Sequence, residues 1–340
     1  MTVMKFVIEN HIPYIKGLLE PYATVEYLPY QDITASAVAD ADALVVRTRT
    51  RCDATLLDGS RCQFVGSATI GTDHIDIDYC RRHGIAVHNA PGCNAPAVAQ
   101  YVLSTVGRLM RRDGIGDLSQ LTIGIVGVGH VGSIIARWAG EIGFKVLLND
   151  PLRKRAERDF PGVELGEIAR EADIITFHTP LTRTGSDATW HLCDKEFVGG
   201  LRHCRLLINS ARGPVTDTAA LLDGLQAGLI GDVAIDCWEN EPDIDAQLLD
   251  RAFVATPHIA GYSQEGKIRG TAMIVEALNK HFGIDAAVPV AAAPACGAKG
   301  VTLAQIVESY DPLADTAHLK SMPGQFEQQR NGYDLRHEVM

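Results

Sequence analysis

Leu121-Thr122-Ile123-Gly124-Ile125-Val126-Gly127-Val128-Gly129-His130-Val131-Gly132 is an apolar run that opens into glycines spaced G-x-G-x-x-G. Leu121–Val126 reads as a buried strand. Beyond Gly132, the residues Ile134, Ile135, Trp138 and Ile142 recur at helical spacing, and a second strand, Lys145–Asn149, ends at Asp150. Strand, glycine turn, helix, strand and acid is the order a dinucleotide-binding βαβ unit requires. Gly127 permits the tight turn, Gly129 lets the backbone approach a pyrophosphate, and Gly132 lets helix and strand pack closely. His130 and Val131 open the helix, whose unpaired N–H groups and positive dipole end suit phosphate. Asp150 is placed to accept hydrogen bonds from ribose hydroxyls and to repel a 2′-phosphate, which favours NAD. Arg153, Lys154 and Arg155 follow it, and cations there can hold a 2′-phosphate instead.

Working outward, short apolar runs alternate with helical stretches on both sides. Phe6–Ile8, Ala43–Val46, Gln63–Gly66 and Ile85–His88 read as strands before the fingerprint, and Asp173–Phe177, Leu206–Ile208, Asp232–Ile235 and Phe253–Ala255 after it. This alternation predicts parallel α/β sheets. Helices are predicted from Asp73 over Ile75–His83, from Asn94 to about Arg111, and from Ser263 to about Phe282. Gly283 to Gly300 is rich in Ala and Pro and reads as a linker. The polar, partly helical remainder is too short for a large core of its own.

Three segments place chemistry just past strand ends, where open α/β sheets bind ligands. They are Asn209-Ser210-Ala211-Arg212-Gly213, Asp236-Cys237-Trp238-Glu239-Asn240-Glu241-Pro242 and Pro257-His258-Ile259-Ala260-Gly261. Oxidising a 2-hydroxy acid needs a base for the hydroxyl proton, and histidine suits both directions of the reaction. A carboxylate beside it stabilises the imidazolium, and a guanidinium holds the substrate carboxylate in a fork. His258, Glu241 and Arg212 fit these roles. Taken singly, each also fits a loop cap or a surface turn; together, downstream of the fingerprint, they form a catalytic set.

These residues resemble the D-isomer-specific 2-hydroxyacid dehydrogenase family from Ala43 to about Phe282. The motifs are Gly71-Thr72-Asp73-His74-Ile75-Asp76, the glycine fingerprint, Asn209…Arg212-Gly213, Glu241-Pro242 and Pro257-His258-Ile259-Ala260. The resemblance implies Arg212, Glu241 and His258 as catalytic residues. It implies NAD contacts from Asp150, Thr179, Ser210, Ala211, Arg212, Asp236 and Gly261, and substrate contacts from Thr48, Thr69 and Tyr262. Within the family, Ala90-Pro91-Gly92-Cys93-Asn94-Ala95, Phe177-His178-Thr179-Pro180-Leu181 and His258-Ile259-Ala260-Gly261-Tyr262 are similar to members acting on a small phosphorylated four-carbon 2-hydroxy acid. Arg47, ending the Ala43–Val46 strand, is the first candidate for the substrate phosphate, with Arg49, Lys267 and Arg269 behind it. The alternatives are a sibling acting on phosphoglycerate, glycerate or lactate, and a non-catalytic NAD-binding regulator.

The fold expected is α/β, with two doubly wound parallel-sheet (Rossmann-type) lobes. Residues 1–93 with 263–283 form the substrate-binding domain, and 94–262 the NAD-binding domain. Residues 284–340, which include Pro323-Gly324-Gln325-Phe326, resemble a C-terminal dimerisation segment, so a homodimer is expected. A length of 340 residues accommodates this division, and the net charge of −11 argues against nucleic acid as a partner. No leader and no bilayer-length apolar run is visible, so no membrane partner and a cytoplasmic location are expected. The eight cysteines are scattered without C-x-x-C or any recurring metal-ligand spacing, which predicts free buried thiols and no metal.

Overall fold

The structure, a computed structural model, describes residues 3–292 and 300–339. The chain divides into two compact units, Met1–Asn94 with Ser263–Ala292, and Ala95–Tyr262 with Ala293–Met340.

The first unit holds β1 (Met4–Glu9), β2 (Ala23–Leu28), β3 (Ala43–Val46), β4 (Phe64–Ser67) and β5 (Ala86–His88) in a parallel sheet of order β2-β1-β3-β4-β5. Residues alternate between its two faces. Val7, Leu44 and Val65 pack on one core, while Phe6, Ile8, Val45 and Phe64 pack on another with Ile274, Val275 and Leu278 of the helix Gln264–Phe282. Both faces are covered, which is why these strands read as unbroken apolar runs. Ser263 caps that helix by accepting from the Gly266 N–H at 2.9 Å. Two features differ from the sequence reading. β2 is unmarked in the apolar alternation because most of its residues are only partly buried. The helix Ile77–Arg82 is capped by Asp76, which accepts from the Tyr79 N–H at 2.8 Å, and not opened by Asp73.

The second unit holds β6 (Thr122–Val126), β7 (Lys145–Asn149), β8 (Ile174–Phe177), β9 (Cys204–Asn209), β10 (Ile230–Ile235) and β11 (Val254–Ala255). They form a parallel sheet of order β11-β10-β9-β8-β6-β7. The order reverses at β6, so the loops after β6 and β8 flank a switch-point crevice at the strands' carboxyl ends. The helix Ala95–Asp113 is buried on nearly every side over its first three turns. Asn94 precedes it, but its buried Oδ1 takes no hydrogen bond, so the cap expected there is not made.

Residues 284–340 do not stand apart as a segment. Residues 284–292 go with the first unit, and the described tail packs into the second. Its helices are Leu303–Ser309, Pro312–Ser321 and Phe326–Asn331. Val301, Ile306, Tyr310 and Val339 join the core around Tyr101 and Val102, and Leu319 and Phe326 join the core on the other face. Thr316 Oγ1 accepts the Ala255 N–H of edge strand β11 at 3.0 Å. Burying these apolar residues, about 1.5–3 kcal/mol for each large side chain, outweighs the polar look of the segment. Pro294 and Cys296 of the expected linker lie outside the described residues.

Seven cysteines, Cys52, Cys62, Cys80, Cys93, Cys193, Cys204 and Cys237, are free and buried. Burial pushes the Cys62 thiol up to about 11, so it stays protonated. Among the described residues, no helix is long and apolar enough to cross a membrane.

Candidate active site

The glycine loop is built as its spacing requires. Gly127 adopts φ +88°, and a Cβ there would lie 2.8 Å from the backbone of His178 and Thr179. A Cβ on Gly132 would meet Gly127 O at 2.1 Å, so helix His130–Ile142 can approach the loop only with glycine at that position. At Gly129 a Cβ would meet nothing within 4 Å, which leaves room beside the helix N-terminus for a pyrophosphate. Asp150 braces the loop: Oδ2 accepts the Val128 N–H at 2.9 Å and Oδ1 accepts the Arg153 N–H at 3.0 Å. A carboxylate has about four acceptor positions, so capacity remains for ribose hydroxyls.

The three cations after Asp150 are each engaged by an acid. Arg153 forks onto Glu157 at 2.7 and 2.6 Å, Lys154 reaches Glu164 at 2.7 Å, and Arg155 forks onto Asp187 at 3.1 and 2.5 Å. Their charge is matched, which removes the sequence's argument for a 2′-phosphate. Across the crevice, Thr179 Oγ1 and Ser210 Oγ are buried without a hydrogen-bond partner. An unsatisfied buried hydroxyl costs about 1–3 kcal/mol, so both atoms fit a site that a polar ligand completes. His178, bonded to Thr176 Oγ1 at 2.8 Å, is pushed down to about 3 by burial and stays neutral.

The second unit also brings the three catalytic candidates together. Asn209, fully buried at the end of β9, organises the loop carrying Ser210, Ala211 and Arg212. Its Nδ2 donates to Arg212 O at 2.9 Å and Thr216 Oγ1 at 3.0 Å, and its Oδ1 accepts the Ala211 N–H at 3.1 Å. Arg212 Nη1 donates to Ala211 O at 2.8 Å. Gly213 then presses against the loop after β10: a Cβ there would lie 1.8 Å from Trp238 O. Trp238 is itself fixed, with Nε1 donating to Thr256 O at 2.9 Å and its N–H donating to Glu241 Oε1 at 2.8 Å.

Glu241 faces His258, whose Nδ1 lies 2.8 Å from Oε2 and 3.1 Å from Oε1. Burial pushes the Glu241 carboxyl up. The charge and hydrogen bond of His258, the Trp238 N–H and the Arg330 charge together outweigh this and hold it below the ordinary glutamate value. His258 sits at φ +58°, a conformation that costs a β-substituted residue about 1–2 kcal/mol. Asp236 stabilises it from beneath. The His258 N–H donates to Asp236 O at 2.9 Å, and the Asp236 carboxylate accepts the Ile259 N–H at 2.7 Å, the Ala260 N–H at 3.0 Å and the Thr256 hydroxyl at 2.7 Å. Burial raises the Asp236 carboxyl above its ordinary value, and these bonds with the His258 charge oppose that rise. Asp236, read from sequence as an NAD contact, is thus first a clamp on the histidine loop, which continues through Gly261 to Tyr262.

Cys237 Sγ, Glu241 and His258 offer ligand atoms within 4.8 Å of one another. The Cys237 thiol, however, donates to Ala211 O at 3.4 Å, and burial raises its pKa well above the ordinary value, which disfavours a metal-binding thiolate.

In the first unit, Thr48 is exposed just past β3, and Thr69 Oγ1 lies 2.7 Å from Ser67 Oγ at the end of β4. Arg47 is less suited to a phosphate than its position implies. Fully buried Glu9, ending β1, takes its Nε and one Nη at 2.7 Å and its backbone N–H at 2.9 Å. Three N–H bonds remain on the fork, but the net charge is matched. Glu9 plays no part in the sequence reading, and Asn209 enters it only as a motif residue without a role, yet both carry the same signal: a polar residue closing an apolar strand.

Residues 99–260 match the D-isomer specific 2-hydroxyacid dehydrogenase, NAD binding domain. The chain is 47% identical to the erythronate-4-phosphate dehydrogenase of Bacteroides fragilis over 98% of its own length and 97% of that protein's. The chain belongs to the erythronate-4-phosphate dehydrogenase family. A member of that family from Cronobacter sakazakii is 42% identical, over 98% of this chain and 92% of its own. The fold is shared with the D-lactate dehydrogenase of Aquifex aeolicus, solved with NAD and lactic acid, at TM-score 0.67 and 24% identity over 82% of this chain and 95% of that one. Membership of the erythronate-4-phosphate dehydrogenase family makes the chain an NAD-dependent oxidoreductase.

Proposed function

We propose that the chain oxidises 4-phospho-D-erythronate to 3-hydroxy-2-oxo-4-phosphooxybutanoate with NAD, a step of vitamin B6 biosynthesis. The observation that carries the mechanism is the 2.8 Å pair between His258 Nδ1 and Glu241 Oε2. With Nδ1–H donated to an ionised carboxylate, the proton-accepting lone pair is on Nε2. Nε2 takes the C2 hydroxyl proton as the C–H bond breaks. Bound NAD supplies the acceptor for the hydride. Glu241 stabilises the imidazolium that forms, and Arg212 holds the substrate carboxylate and polarises the C2 oxygen. The residues proposed to touch the cofactor are Gly127, Gly129, His130, Val131, Gly132, Asp150, Thr179, Ser210, Ala211, Arg212, Asp236 and Gly261. Thr48, Thr69 and Tyr262 are proposed substrate contacts, with Arg47 a weaker one.

The assay that tests the substrate sets 4-phosphoerythronate against 3-phosphoglycerate and D-lactate with NAD. We expect kcat/KM for phosphoerythronate to exceed the others by roughly 10-fold or more, the range that one carbon's worth of fit supplies. Equal or faster turnover of phosphoglycerate would reassign the substrate and leave the chemistry standing.

The functional unit proposed is a cytoplasmic homodimer, a reading supported by the likeness of the tail to a dimerisation segment. Sedimentation equilibrium should give twice the mass of 36.7 kDa; the single-chain mass would overturn it.

A further inference from the structure

The C-terminal tail does more than fill a core. Arg336 lies five residues beyond the last tail helix, Phe326–Asn331, and reaches the loop that carries His258. Its Nη1 donates to Ile259 O at 3.1 Å and Tyr262 O at 3.0 Å, and its Nη2 donates to Ala260 O and, at 3.1 Å, to Ala97 O. Its Nε donates to Gln100 Oε1 at 3.2 Å, and the guanidinium stacks over Tyr310 at 4.2 Å. Gln100 is fully buried and tied back to the tail through Ser309 Oγ at 2.9 Å and His337 O at 3.0 Å.

Two devices therefore grip one loop from opposite chemical sides. Asp236 accepts its N–H groups, and Arg336 donates to its carbonyls. A flat fork with five N–H donors can serve three carbonyls of one turn together; an ammonium, with three donors on one atom, cannot reach the same set. Placing a charged group against neutral carbonyls is a costly way to fill a core, so packing alone does not explain a guanidinium here. His258 needs such a clamp, because its left-handed backbone relaxes if the loop is free.

We infer that Arg336 is a positioning residue for catalysis: it locks the Ile259–Tyr262 turn so that the His258 ring stays in register with Glu241. The tail thereby belongs to the active site, whatever its share in dimerisation. Arg330, on the preceding tail helix, lies within charge range of Tyr262 and Glu241.

This inference rests on the dehydrogenase reading. Failure of that reading would appear as absent turnover in the wild-type protein, whereas failure of the inference appears only in the variants. The full-length dimer or monomer, whichever the wild type forms, is compared with Arg336→Ala and Arg336→Lys. Arg336→Lys keeps the charge and most of the stem, so it tests the fork rather than the fold. A displacement of about 1 Å at a reacting group costs roughly 100-fold in rate, so we expect kcat to fall by about that factor in Arg336→Ala and about 10-fold in Arg336→Lys. NADH affinity should fall far less than kcat, because the glycine loop is untouched and the turn carries a single proposed cofactor contact, Gly261. Guanidinium ion at non-denaturing concentration should restore part of the Arg336→Ala rate and none of the Arg336→Lys rate. A kcat within twofold of wild type in Arg336→Lys would overturn the positioning role, even if Arg336→Ala fails to fold. So would a loss that guanidinium does not relieve and that NADH binding follows in proportion.

Discussion

Replacing His258 by alanine should lower kcat by roughly 10²–10⁴-fold, the range a positioned general acid–base supplies, and leave NADH binding within about threefold. The separation follows from where the groups sit. His258 is held by Asp236 and Glu241 at the ends of β10 and β11, whereas the candidate pyrophosphate site is the glycine loop after β6. Glu241→Gln is the companion test. Because the Glu241 carboxyl lies below its ordinary value, it remains ionised throughout the neutral range. Its stabilising contribution is present above the unfolded value and is lost as the pH falls through the folded one. The amide removes the counter-charge of the imidazolium. The acid limb of the oxidation profile should therefore move to lower pH, and the reverse reduction near pH 7 should slow. Superimposable profiles for wild type and Glu241→Gln would end the proposed pairing, and unchanged turnover in His258→Ala would end the mechanism.

The largest stability effect should come from a single methyl group. Gly213→Ala places a Cβ 1.8 Å from the carbonyl oxygen of Trp238, and neither backbone can yield easily. Asn209 pins one side through Arg212 O and Gly213 O, while Thr256 O and Glu241 pin Trp238 on the other. Overpacking against backbone lies at or above the usual 1–3 kcal/mol range, so we expect a loss of about 3 kcal/mol, or roughly 6–12 °C in Tm for a unit of this size. The same wedge separates Arg212 from Glu241, so turnover should fall further than residual folding explains. A Tm within about 1 °C of wild type, read by calorimetry, would show that the two loops are not in contact as described.

Much of this arrangement is legible in the residues alone. Strands covered on both faces read as apolar runs, and β3, buried at every position, lies where such a run does. The fingerprint and the three strand-end segments announce their chemistry because glycine, arginine, glutamate and histidine are each hard to replace there. What escapes is whatever depends on a distant partner. β2 is an edge strand with a mixed face, so periodicity does not set it apart. Glu9 cancels Arg47, and Glu164 and Asp187 cancel Lys154 and Arg155, from positions that no local pattern connects; Glu157 alone answers its cation, Arg153, at the local i,i+4 spacing. The tail is the plainest case. Its short helices show a weak apolar pattern, and only the packing reveals that Leu319 and Phe326 complete a core and that Arg336 meets the histidine loop.

The bracing of Asp150 bears on redesign of coenzyme preference. A residue that merely repelled a 2′-phosphate could be exchanged in one step. Here the same carboxylate also holds the Val128 and Arg153 N–H groups, and the neighbouring cations are committed to acids of their own. A switch to NADP therefore takes at least two coupled substitutions, one that replaces Asp150 and one that releases a partner such as Glu157. The first alone loosens the glycine loop, and the second alone leaves Asp150 in place, so neither single step gains the new coenzyme.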